Sequence, residues 1–133
     1  ALLPRSPVAR ARVRSLALAV ACEIHPLNNL RVLNYLTGTL GATPAQKDGW
    51  YRYWCDTGLE AIETRLARDP ATGRFCHGDA PTLADVCLVP QLANARRFDV
   101  DLAAFPRLLA IEAACHALPA FAAAAPARQP DAE

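Results

Sequence analysis

The sequence predicts an all-α fold, a bundle of four to five helices with a long kinked first helix and a buried central helix. Three observations point there. Apolar residues make up 53% of the chain, many of them Ala and Leu, while aromatics are only 7%. The β-branched residues never form the alternating run that marks a half-buried strand. Helix-start signals with proline near the first helical position recur at Ser6-Pro7, Thr43-Pro44 and Phe105-Pro106. A chain of 133 residues is long enough for one domain with a real core.

Ser6-Pro7 opens the first helix, which the pattern carries to about Leu36. Its apolar face is Val8, Val13, Leu16 and Val20. Arg5, Arg10, Arg12 and Arg14 read as its solvated face. Pro26 removes an amide donor and clashes with the carbonyl of Cys22, so a kink or a short break is expected near Ile24-His25. Gly38 and Gly41 end this helix. Thr43, Pro44 and Gln46 form the second start signal, a capping box with proline in the first turn. Trp50, Tyr53, Trp54, Thr57, Ala61, Ile62 and Leu66 follow at helical spacing, and Gly58 among them marks a close helix–helix approach.

Arg68 to His77 is a loop with turn chemistry at Asp69-Pro70-Ala71-Thr72-Gly73. The central helix then runs from Thr82 to about Arg97. Thr82 is its N-cap, and Asp85, three residues on, can reach back to the cap amide. Leu83, Ala84, Val86, Cys87, Leu88 and Val89 leave its first half without a polar face, as suits a helix at the centre of a bundle. Pro90 is expected to bend the second half. Another helix spans Pro106 to about Ala117, and a last turn runs from Leu118-Pro119 to Ala125. Residues 1–125 are therefore expected to form the helical domain and 126–133 an extended tail. The opening Ala1-Leu2-Leu3-Pro4 reads as a linker, so the chain is expected to be a piece of something longer.

The formal charge is +1, which gives no bulk attraction to nucleic acid or membrane. An RNA-binding arm or a transit peptide is the lesser reading of the arginine-rich start. No run of about 18 uncharged apolar residues occurs, so no membrane span is expected. Cys22, Cys55, Cys76, Cys87 and Cys115 form no CxxC pair and read as small core residues of a reducing, cytoplasmic protein. Cys22 with His25, and Cys76 with His77, match no standard metal spacing, so no metal is expected.

Chemistry concentrates in Cys22 to Leu36. On one continuous helical wheel, Leu27, Leu30 and Leu33 share a side. His25, Asn28, Asn29, Arg31 and Tyr35 share the opposite arc, an odd choice for a plain solvated face, where Glu and Lys serve better. The second feature is Arg96-Arg97-Phe98 at the end of the central helix. Arginine there complements the helix dipole, or presents a guanidinium fork to a carboxylate. Arg31 and Arg97 together could hold a dicarboxylate. His77 and His116 read as structural or helix-end residues, and no sequence motif supplies a nucleophile.

Gly78-Asp79 followed by Thr82-Leu83-Ala84-Asp85 resembles the capped helix start in the C-terminal domain of cytosolic glutathione transferases. Cys22-Glu23-Ile24-His25-Pro26-Leu27-Asn28-Asn29, Arg31-Val32-Leu33 and Tyr35-Leu36 are similar to the zeta class. That class includes maleylacetoacetate and maleylpyruvate isomerases. Val89-Pro90-Gln91-Leu92 and Ala95-Arg96-Arg97-Phe98 continue the likeness, which covers nearly all of the chain.

The resemblance implies a cytoplasmic homodimer in which an N-terminal thioredoxin-like domain, absent from this chain, binds the glutathione cofactor. The helical domain would supply the pocket for a small cis-dicarboxylate, which is isomerised through reversible addition of the glutathione sulfur. By this likeness Arg97 and Arg31 are substrate-binding, His25 and Asn29 lie close to glutathione, and Thr82 and Asp85 are a structural cap. Leu30 stands where some bacterial maleylpyruvate isomerases carry an arginine, a departure that bears on substrate choice. No catalytic residue is expected in this chain, which alone should be inactive. The other reading is a non-catalytic helical interaction module with a transferase-like fold.

Overall fold

The computed structural model describes residues 2–130 and 132, and every element in it is helical. In order these are α1 (Pro7–Leu18), a π-helical segment (Ala19–Ile24), α2 (His25–Asn28), α3 (Leu30–Gly38), α4 (Pro44–Arg68), α5 (Leu83–Arg97), a 3₁₀ turn (Leu102–Ala104), α6 (Pro106–His116), α7 (Pro119–Ala123) and a second 3₁₀ turn (Pro126–Arg128). The fold is all-α, as the composition predicts.

α5 is the central helix. Ala84, Leu88, Val89, Leu92 and Ala95 are buried along it, and it packs against both α1 and α6. Its start rests on Asp85, which is fully buried. One carboxylate oxygen accepts from the Thr82 amide at 2.7 Å and the Thr82 hydroxyl at 2.9 Å. The other accepts from the Cys76 amide at 2.8 Å. The bond to Thr82 was legible from spacing, but the one to Cys76 ties the preceding loop to the same carboxylate.

The first helical stretch departs from a single kinked rod. Pro26 is accommodated by widening the turn before it, with the His25 amide bonding back five residues to the Val20 carbonyl. The sharper break comes later, at Asn29, whose ψ of 160° is extended. Its side chain caps α3 by accepting from the Val32 amide at 3.1 Å. The break resets the helical phase, so the continuous wheel fails. Asn28, placed on the polar arc, is 7% exposed, and Leu30, placed on the apolar side, is 75% exposed. Val8 is also corrected, since it lies in the first turn of α1 and is 80% exposed.

Gly58 is where α4 meets the π-helical segment. A Cβ there would fall on Ile24 Cγ1 and lie 2.7 Å from Ile24 Cδ1, so any larger residue would have to displace the Ile24 side chain. The Thr43–Gln46 capping box opens α4 as expected. α6 has no local side-chain cap. Its first free amides, of Arg107 and Leu108, are taken instead by the two carboxylate oxygens of Glu63 on α4, at 3.0 and 2.9 Å.

Arg12 is not on a solvated face. It donates to Asp69 at 2.6 Å, to Thr72 at 2.8 Å and to the Cys76 carbonyl at 2.7 Å, and lies 3.2 Å from His77 Nδ1. It thus clasps α1 to the 69–78 loop. The expected extended tail begins instead with the Pro126–Arg128 turn, where the Gln129 side chain bonds the carbonyls of Ala123 and Ala125 at 3.1 Å each. Residues 1, 131 and 133 of the expected linker and tail lie outside the described residues.

Candidate functional site

The arginine pair at the end of α5 divides into two roles. Arg96 makes a forked ion pair with Glu112 of α6, at 2.6 and 2.5 Å. That pair, led by its hydrogen bonds, holds the Arg96 guanidinium above its already high ordinary pKa. Arg97 makes no hydrogen bond or ion pair among the described residues and is exposed. Asp99, in the left-handed region at φ 55°, turns the chain so that the Val100 amide closes on the Ala95 carbonyl at 3.1 Å. The guanidinium of Arg97 is therefore carried by a firmly ended helix while remaining uncommitted.

The other candidates are on the broken stretch. His25 is exposed in α2, and its side chain has no hydrogen-bond partner among the described residues. Asn29 is half-buried; its carbonyl oxygen caps α3, which leaves its NH₂ group as a donor. Arg31 is exposed in the first turn of α3, where the helix dipole disfavours a cation and no acidic side chain stands in the same turn. Stability does not account for a cation at that position. Asn28, grouped with these by the wheel, turns inward instead and donates to the Tyr51 carbonyl at 3.3 Å.

α4 joins the two groups. The Trp50 indole donates to the Leu27 carbonyl at 2.8 Å, holding α2. The Tyr51 ring stacks on Phe98, the residue after Arg97, with centroids 3.6 Å apart and planes 7° from parallel. Arg52 reaches the Phe98 carbonyl at 3.4 Å. Burial pushes the Tyr51 phenol up to about 12, with the neighbouring Cys55 adding to the rise while Gln91 and Arg97 oppose it. Burial likewise pushes Cys55 up to about 11 and Cys115 up to about 12, and raises Cys76 as well. These thiols are core residues, as expected. Cys87 is only half-buried, and Cys22 is exposed. No group of three or more His, Cys, Asp or Glu side chains is placed to hold a metal among the described residues.

A cavity of about 320 Å³ opens between the π-helical segment and α4, walled by Leu16, Ile24, Leu27, Trp54 and Ile62. None of His25, Asn29, Arg31 or Arg97 lines it. The candidate residues instead lie on the surface of this chain. Sequence reasoning missed the parts played by Trp50, Glu112 and Arg12, because each depends on a partner at least 16 positions away. Only the broken cap at Asn29 had a local signal, an Asn three residues before Val32.

Comparison with known proteins places this arrangement. Residues 55–123 match the family model of the glutathione S-transferase C-terminal domain. A maleylpyruvate isomerase of Ralstonia is 53% identical over 131 residues, covering 98% of this chain and 62% of the relative. A solved holo structure of a maleylpyruvate isomerase, described as a bacterial glutathione S-transferase of the zeta class, superposes with a TM-score of 0.97 at 52% identity. It covers all of this chain and 63% of its own. A maleylacetoacetate isomerase of Methylobacterium extorquens AM1, solved with malonate and glutathione bound, gives 0.96 at 44% identity over 99% of this chain and 62% of its own. The chain thus spans a little over three fifths of the length of these relatives. By its sequence, its helix order and the capped α5 that ends on Arg97, the chain belongs to the glutathione S-transferase C-terminal domain family, in its zeta class.

Proposed function

We propose that this chain is the helical substrate-pocket part of a glutathione-dependent cis–trans isomerase acting on maleylpyruvate or maleylacetoacetate. The observation that carries the reading is the free Arg97 guanidinium beside the committed Arg96–Glu112 pair. The relatives' named activities and the malonate bound in one of them support it. In this reading the remainder of the protein is an N-terminal thioredoxin-like domain, the assembly is a cytoplasmic homodimer, and this chain alone is inactive.

The residues present fit glutathione, because the free donors of His25 and of the Asn29 NH₂ suit the carboxylates and amide carbonyls of a peptide. Glutathione, when bound, supplies a thiolate able to add reversibly to a cis double bond so that rotation can occur. Arg97 and Arg31 bind the substrate carboxylates and hold the reacting carbons in place. Fixed guanidinium charge also stabilises the negative charge that develops on the conjugated carbonyl oxygen.

The test is turnover of both cis acids by the full-length protein with glutathione. Isomerisation of either supports the reading. Turnover of neither, with general conjugation substrates consumed, removes the isomerase assignment; binding without any turnover returns the chain to the interaction module. Arg97→Ala should lower kcat/KM for the acid by about 10- to 100-fold, the worth of a charge-assisted hydrogen bond, with glutathione affinity nearly unchanged. An unaltered rate would leave Arg97 as a helix-dipole residue.

A further inference from the structure

Two consecutive residues of α4 hold both arms of the candidate site. In an unbroken helix the Leu27 carbonyl would accept the amide of Arg31, but the extended backbone at Asn29 takes that partner away. The Trp50 indole supplies the missing donor at 2.8 Å. The next residue, Tyr51, receives the Asn28 side chain on its backbone carbonyl and stacks its ring on Phe98. Asn28 and Tyr51 are both nearly buried, so neither contact is loosened by water. One turn of α4 is thus bonded to the segment carrying His25, Asn29 and Arg31, and stacked on the residue that follows Arg97.

We propose that Trp50 and Tyr51 are positioning residues that set the separation between the His25–Arg31 segment and the Arg97 guanidinium. Trp50 acts through the Leu27 carbonyl, and Tyr51 through Asn28 and Phe98. This rests on the isomerase reading of the site. Within it, the rigidity of one α4 turn fixes how far apart the glutathione-side donors and the substrate-side cation stand. A break in the helix, which would otherwise leave the first arm loose, is thereby made firm.

The experiment uses the full-length protein with Trp50→Phe, which keeps an aromatic ring but loses the N–H donor together with part of the indole, and Tyr51→Leu, which removes the stack. Tyr51→Phe keeps both the stack and the backbone carbonyl and serves as the control. Asn28→Ala is a second probe of the first arm should Trp50→Phe fold poorly. Trp50→Phe should raise KM for glutathione about tenfold, the worth of one neutral hydrogen bond, with a smaller change for the cis acid. Tyr51→Leu should raise KM for the cis acid by a similar factor, and Tyr51→Phe should match the parent.

Hydrogen exchange, read without ligand, should quicken at residues 30–33 in Trp50→Phe and at residues 96–100 in Tyr51→Leu. Quickened exchange with unchanged KM values in an active enzyme overturns the proposal, as does Tyr51→Phe behaving like Tyr51→Leu. If the parent isomerises neither acid, the isomerase reading falls. The exchange data then decide the joint alone: quickening at the two named segments upholds it, and unchanged exchange overturns it.

Discussion

Arg96 and Arg97 are neighbours with the same chemistry, yet one is spent on Glu112 and the other has no partner among the described residues. Spacing shows both arginines in the last helical turn, but it cannot show which one a distant carboxylate will claim. Asp85 makes the same point for a buried group. Its reach to Thr82 is local, whereas its bond to the Cys76 amide depends on how the loop folds back. With three donors on one buried carboxylate, Asp85→Ala should cost about 3 kcal/mol, more than a surface cap, because two backbone amides lose their acceptor. The urea midpoint reads this, and a loss under about 1 kcal/mol would reduce Asp85 to an ordinary N-cap.

Asp69 carries a pH dependence of known sign. Its hydrogen bond from Arg12, and next the Ala71 amide, hold its carboxyl below the ordinary 3.8. A carboxyl lowered in the folded state stabilises above its unfolded value and loses that contribution as pH falls through the folded one. Stability should therefore decline from about pH 4 downward more steeply in the parent than in Asp69→Asn. Parallel urea midpoints across that range would show that the Arg12 clasp is not electrostatically coupled to folding.

Among the elements, α4 and the broken first stretch depend on each other. Gly58 looked like a close approach from its place in a helical run, and the structure gives the partner, Ile24. Gly58→Ala gains helix propensity of about 1 kcal/mol. It must also displace a fully buried Ile24 side chain, and overpacking of this kind costs about 1–3 kcal/mol. The net expectation is a lower thermal midpoint, part of which returns when Ile24→Val is added to remove Cδ1. A midpoint that rises in Gly58→Ala would show that the π-helical segment yields easily. The proline at 26 announced a disturbance, but not its form. Whether a helix kinks, widens or breaks depends on the partners its displaced backbone groups find: here the His25 amide donates to the Val20 carbonyl, and the Leu27 carbonyl accepts from the Trp50 indole.

Across the whole molecule, the all-α class, the buried α5 and most helix starts were legible because they rest on local physics. Proline positions, capping residues and apolar runs act within a few residues of one another. Face assignments failed where the helix changed phase, as Asn28 and Leu30 show. The arginine-rich start was misread at Arg12 for another reason, since a charge run looks solvated until a loop arrives to pair with it.

Composition, caps and helical spacing were enough to establish an all-helical domain centred on α5 and to mark the polar arc from His25 to Tyr35 and the Arg96-Arg97 pair, and the likeness to the zeta class narrowed these to His25, Asn29, Arg31 and Arg97. Only the tertiary structure decided which arginine is free, where the first stretch breaks, and how one turn of α4 bonds to α2 and stacks on Phe98. The reason is range. Backbone preferences and periodicity are properties of neighbouring residues, while a salt bridge, a donor for an orphaned carbonyl and a stacked ring each need a partner that packing alone brings near.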